Sequence, residues 1–142
     1  MKIIEPKTPQ DFAKYYDLRW RVLRKPWNQP PGSEKDDLEE QSIHLMATSQ
    51  NRVLGVIRAH FPSPGIAQIR YMAVDTPYQG KGIGTKLLTE MEKRLKQKGA
   101  RQIVLNAREI AVEFYENHGY DIAGKAHILY DSIEHFKMVK RL

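Results

Sequence analysis

Cysteine is absent from the 142-residue chain. That excludes disulfides, thiolate metal sites and a cysteine nucleophile. No uninterrupted apolar run approaches the roughly 18 residues of a membrane span. The stretch Met1 to Asp11 has no apolar h-region, so no secretory signal is expected. The chain therefore reads as cytoplasmic, with no membrane partner. Repeats and low-complexity segments are also lacking. Metal ligation would fall to histidine and carboxylate, but the histidines at 44, 60, 118, 127 and 135 form no HExxH-type pair, and no metal is expected.

What is present suits one domain spanning 1–142. At that length a single core forms without staples, since about 70% of the unfolded surface is buried in domains of this size. Hydrophobic residues make up 41% and charged residues 28%, and the formal net charge is +6. Such a balance favours an anionic ligand or partner, nucleic acid or a phosphate-rich cofactor, or else reflects a plain basic surface. No aromatic-basic RNA signature or zinc module accompanies it, which argues against nucleic acid.

Apolar spacing predicts a short strand over Lys2 to Pro6, then a helix over Asp11 to Lys25 stopped by Pro26. The segment KPWNQPPGSEKDDLEE reads as an irregular excursion with room for a short helix, and its acidic run Glu34 to Glu40 as a solvated one. Strands are expected at Ile43–Thr48 and Val53–His60, joined around Gln50-Asn51, and at Ala67–Val74. A helix from Ile83 carries Leu87, Leu88, Met91 and Leu95 on one face, with Glu90–Arg94 and Glu92–Lys96 as i,i+4 pairs and Gly99 at its end. Further elements are a strand over Gln102–Leu105, a helix from about Glu109 to His118 ended by Gly119, and strands near Tyr120–Ala126 and Ile133–Leu142. The expected class is a mixed α/β sheet covered by helices, in the order βα(α)βββαβαββ.

The informative stretch is strand, turn and helix: AQIRYMAV, Asp75 to Gln79, then Gly80-Lys81-Gly82-Ile83-Gly84. A helix start offers unpaired N–H groups and the positive end of the macrodipole to an anion. Glycines let phosphate oxygens approach the backbone. The spacing fits neither G-x-x-x-x-G-K-[ST] nor G-x-G-x-x-G. By itself the segment is either an anion cradle or a structural turn.

Gln79, Gly82 and Gly84 after an MAVD strand resemble the pyrophosphate-binding motif of the GNAT superfamily of N-acetyltransferases. A second element of that family, A-x-x-F-Y-E-x-x-G-[FY], stands downstream as Ala111, Phe114, Tyr115, Glu116, Gly119 and Tyr120, after Asn106. The resemblance implies the GNAT-like acyl-CoA N-acyltransferase fold and transfer of an acetyl group from acetyl-CoA directly to an amine acceptor, small molecule or peptide. It implies that Gln79, Gly80, Lys81, Gly82, Ile83, Gly84 and Thr85 hold the CoA pyrophosphate. Met72, Ala73 and Val74, on the family's bulged fourth strand, would pair with the pantetheine arm, and so would Asn106. Asn106 reads equally as a cap of the next helix. Tyr115 matches the family's acid for the departing sulfur: a phenol with pKa near 10 stays protonated at neutral pH and can meet a thiolate. Packing is the alternative for this side chain, and a CoA-binding sensor without turnover is the alternative for the whole chain. A homodimer is compatible with either.

The acceptor amine is mostly ammonium at pH 7 and must lose a proton before attack. His44 and His135 are the base candidates, although a histidine on a strand is more often structural or merely exposed. The acidic run Glu34–Glu40 would attract a cationic amine. Arg19, Arg21 and Arg24 on the first helix, or Arg70 on the central strand, would instead select an acceptor carrying a carboxylate. These readings point to different acceptors.

Overall fold

The computed structural model describes all residues, Met1–Leu142. Its elements are β1 (Lys2–Ile4), α1 (Pro9–Leu23), β2 (Ile43–Ser49), β3 (Arg52–Ser63), β4 (Ile66–Val74), α2 (Ile83–Gln97), β5 (Gln102–Arg108), α3 (Val112–Glu116), β6 (Asp121–Leu129) and β7 (Ile133–Arg141). The strands form one sheet in the order β1-β2-β3-β4-β5-β7-β6. Only β4 and β5 run parallel; the other neighbours are antiparallel. This is the mixed α/β architecture that the order of elements predicts. No helix is long and apolar enough to cross a membrane, and no group of three or more His, Asp or Glu is placed to hold a metal ion.

Local chemistry explains most boundaries. Helix α1 opens two residues before the predicted start because Thr8 and Asp11 form a reciprocal capping box with Pro9 in the first turn. The β2–β3 hairpin turns through Gln50 and Asn51 with φ of 50° and 64°, a left-handed pair that matches the strand twist. Helix α2 buries Ile83, Leu87, Leu88, Met91 and Leu95 against one face of the sheet, and α1 covers the other with Tyr15 and Leu18 against Met46, Val56 and Ala73.

Several expectations are corrected. The excursion after α1 contains no α-helix, only single 3-10 turns at Lys25–Trp27 and Glu39–Gln41. The helix expected over Glu109–His118 is a 3-10 turn at Glu109–Ala111 followed by the short α3, and β5 runs on past Leu105 to Arg108. Glu92 pairs not with Lys96 but with Lys140 at 3.1 Å, and accepts a hydrogen bond from the Tyr120 hydroxyl at 2.7 Å; tertiary partners outcompete the exposed i,i+4 pair. Glu90–Arg94 forms as expected, at 3.4 Å.

The largest correction concerns the acidic run, which is not simply solvated. Arg19 and Arg58 are fully buried. Arg58 binds Asp36 at 2.6 Å and Glu39 at 2.7 Å, and Arg19 binds Glu39 at 2.9 Å. Glu34 is buried too, accepting from the Gly32 N–H. Burial would raise the Asp36 carboxyl, but hydrogen bonds from Arg58 and the Leu38 N–H outweigh it and hold the group below its ordinary value.

Removing Arg58 strands carboxylates in a partly buried site, so Arg58→Ala is expected to cost about 3–5 kcal/mol. Arg70→Ala, whose half-exposed side chain touches the same Asp36, should cost at most about 1 kcal/mol. Urea unfolding at pH 7 checks the contrast, and equal losses would refute it. Because Asp36 titrates lower when folded, its share of stability is complete above about pH 4 and lost as pH falls through the folded value.

Candidate functional site

The site begins with a defect in the sheet. On β3, Val56 and Arg58 are two residues apart; their partners on β4, Ala73 and Arg70, are three apart. The extra residue makes a β-bulge, and Tyr71 within it has φ of +63°, a conformation costly for a bulky residue. The ring of Tyr71 is surrounded by guanidinium groups, with Arg19, Arg70, Arg58 and Arg24 at 4.5, 4.7, 5.0 and 5.4 Å from its centre. Such contacts offset backbone strain.

The parallel ladder between β4 and β5 ends at Ile69↔Leu105, just before the bulge. Beyond that point β4 stays with β3 while β5 follows β7, pairing Asn106 with Lys137 and Arg108 with His135. The two strands thus part and leave a cleft of about 490 Å³. Met72, Asn106 and Tyr115 line it together with Arg24, Arg108 and His135. Asn106 is not at a strand end capping a helix; it lies inside β5 with its side chain exposed.

Tyr115 is held by α3 with only 8% of its surface exposed. Burial pushes its phenol up from the ordinary value. The hydroxyl's one partner is the Met72 thioether at 3.5 Å, a weak acceptor. It is therefore protonated, and free to donate.

The glycine-rich turn lies at the amino end of α2. Gly80 and Gly82 have φ of 77° and 83°, and a Cβ on either would meet nothing within 4 Å. The first helical bond of α2 runs from the Lys86 N–H to the Gly82 carbonyl, leaving the N–H groups of Ile83, Gly84 and Thr85 without helical partners. Gly84 differs: its Cβ would lie 3.1 Å from Met72 Cε and 3.4 Å from Phe114. Gln79 folds back to donate to the Val74 carbonyl at 2.9 Å, tying the turn to the end of β4. The Thr85 hydroxyl meets His118 at 3.1 Å.

The other sequence candidates separate. His44 has both ring nitrogens engaged, by the Tyr15 hydroxyl at 2.8 Å and the Glu39 carbonyl at 2.7 Å, and does not line the cleft. His135 does line it, with Nδ1 on the Ile133 carbonyl at 3.0 Å and its ring stacked on His127 at 4.2 Å. Burial lowers its pKa. Arg19 is sealed in the buried network, and Arg21 is taken by Asp17 and Asp75. Arg24 reaches the cleft, and so does Arg70, which pairs with Asp36. Arg108 is a cleft residue that sequence reasoning missed. Its place as the last residue of β5 became visible only once that strand proved longer than its apolar core.

The model of the acetyltransferase (GNAT) family matches residues 12–120. An uncharacterized N-acetyltransferase of Bacillus subtilis, YjcF, is 28% identical over 140 residues, covering 99% of both chains. Among solved structures, an aminoglycoside 6'-N-acetyltransferase complexed with coenzyme A superposes with a TM-score of 0.82 at 21% identity, covering 99% of this chain and 97% of that one. The ribosomal-protein-S18-alanine N-acetyltransferase of Escherichia coli gives 0.77 at 20% identity, covering 99% and 92%. At such identity these likenesses are of fold, and the two enzymes' names carry different acceptors.

The glycines of the turn should respond differently to substitution. Gly84→Val should lower the thermal midpoint, since its branches meet Met72 and Phe114. Gly82→Ala meets no atom and should cost only the strain of a left-handed residue, about 1–2 kcal/mol. Thermal unfolding of the two variants checks the order of losses.

Proposed function

This chain belongs to the GNAT acetyltransferase family, and from that premise we propose that acetyl-CoA is its donor and that the acetyl group passes directly to a primary amine in a ternary complex. The observation that carries this reading is the buried Tyr115 hydroxyl in the β4–β5 cleft, with no partner but a thioether. The donor fits the chain. Gly80 and Gly82 leave the backbone open at the amino end of α2, where Ile83, Gly84 and Thr85 offer N–H groups and Lys81 adds charge for a pyrophosphate. Met72, Ala73 and Val74 lie on the strand that parts from β5, and Met72 and Asn106 both line the cleft between, with room for an extended arm. Acetyl-CoA supplies the activated thioester.

The roles of the residues follow from proton balance. As the C–N bond forms and the C–S bond breaks, one proton must leave the amine and one must reach the sulfur. Tyr115 gives the latter, its raised pKa keeping it protonated until a thiolate develops. His135 takes the former. Unlike His44, it lines the cleft, and its lowered pKa keeps it neutral at pH 7. The strand ends on both sides of the cleft hold amine and thioester in register, which contributes more than either proton transfer alone.

Tyr115→Phe should retain the fold, and single-turnover acetyl transfer should fall about 100- to 10,000-fold. Near-normal transfer would assign Tyr115 to packing. Coenzyme A should raise the thermal midpoint, with about 2.7 kcal/mol of stabilisation at a hundred times Kd; no shift at millimolar coenzyme A in low salt would refute the donor. The histidines separate in the same assays. His135→Gln should slow transfer at unchanged stability, whereas His44→Gln should lower the thermal midpoint by removing a partner of Tyr15.

A further inference from the structure

The cleft is unbalanced in charge. Arg24, Arg70, Arg108, His127 and His135 line it, and no aspartate or glutamate does. Arg70 pairs with Asp36 at 3.0 Å, a carboxylate it shares with Arg58. Arg24 and Arg108 have no carboxylate within salt-bridge distance. Instead both guanidinium groups converge on a single carbonyl, that of Leu23 at the end of α1: Arg24 Nη1 and Arg108 Nη2 each donate to it at 3.2 Å. Arg24 Nε also donates to the Ser33 carbonyl at 3.1 Å.

Capping of α1 accounts for only part of this arrangement. A helix end presents about half an elementary negative charge, and two full positive charges gather there. The guanidinium atoms without a partner tell more. In Arg19 and Arg58 such atoms are sealed from solvent. No unpartnered atom of Arg24 or Arg108 is sealed in that way, and both residues line the cleft. Burial, and next the charge of Arg24, push the Arg108 guanidinium below its ordinary value, as expected of a cation lacking a counter-ion.

An acceptor amine enters this site as an ammonium and adds a further positive charge. It is bound well only if it brings a negative group for the arginines. We propose that the acceptor is a small amine carrying its own carboxylate, held by the paired forks of Arg24 and Arg108 while its amino group meets the thioester. This inference rests on the acetyl-transfer reading and names the acceptor's class. It also separates the chain from the aminoglycoside enzyme that shares its fold, because a polycationic acceptor would be repelled here.

The test is a panel of amino carboxylates of differing chain length, each beside its carboxamide, with a polyamine and an aminoalkyl phosphate, read by thiol release from acetyl-CoA. At least one carboxylate should exceed its amide in kcat/KM by about 10- to 100-fold, the worth of charge-assisted hydrogen bonds. In Arg24→Ala and Arg108→Ala that ratio should collapse toward unity, mainly through KM. The ratio cancels any fraction of unfolded enzyme, so a destabilised variant still gives an answer. Amides equal to carboxylates, preference for the polyamine or the aminoalkyl phosphate, or a ratio unchanged in both variants would overturn the inference while acetyl transfer stands. No turnover of any amine by a protein that binds coenzyme A would instead overturn the transfer reading, and this inference with it.

Discussion

The site depends on the buried pairing of Arg19 and Arg58 with Asp36 and Glu39. Two guanidinium groups sealed from water cannot stand without counter-charges, and a buried pair seldom stabilises a fold more than apolar packing would. What it provides here is a shaped floor beneath Tyr71. With cations about its ring, Tyr71 keeps a left-handed backbone that would otherwise relax. That conformation makes the bulge in β4, and just before the bulge the ladder to β5 stops. The cleft thus opens beside a buried ion-pair network that Tyr71 and Arg70 connect to it.

The same pairing settles the electrostatics of the cleft. Asp36 and Glu39 are the carboxylates best placed to attract an amine, and they are already committed to Arg58, Arg19 and Arg70. The Tyr130–Trp27 stack brings the β6–β7 turn against the residues following α1, so Arg24 and Arg108 sit under cover rather than on an open face. A net charge of +6 is therefore not spread evenly in its effect. One share surrounds the open turn before α2, and another stands in the cleft without acidic neighbours. Both favour anionic groups on what binds there.

The fold was legible in the sequence where local signals and burial agree. The apolar face of α2, Gly99 and Gly119 at helix ends, and the Gln50-Asn51 turn each act over a few residues. The capping box of Thr8 and Asp11 is equally local, yet the helix is expected only from Asp11. Other features were not local. The acidic run reads as solvated because its partners, Arg19, Arg58 and Arg70, come from a helix and two strands that only the fold brings together. The length of β5 misled for a related reason: Asn106 and Arg108 are polar, and only pairing with β7 keeps them in the strand. Of the residues lining the cleft, Met72 on β4, Asn106 on β5 and Tyr115 on α3 stand in motifs. Arg108 does not, and so was not readable.

Two buried tyrosines share a raised pKa and differ in their partners. Burial raises both Tyr15 and Tyr115 far above the ordinary phenol. Tyr15 donates to the Ile57 carbonyl, accepts from Arg19 and meets His44. Its proton is fixed by a saturated network, and moving it would strand several groups at once. Tyr115 has only the Met72 sulfur beside it, so a developing thiolate in the cleft would be a better acceptor than the one it has. A raised pKa keeps a proton in place; an unmet hydroxyl facing a cleft gives that proton somewhere to go.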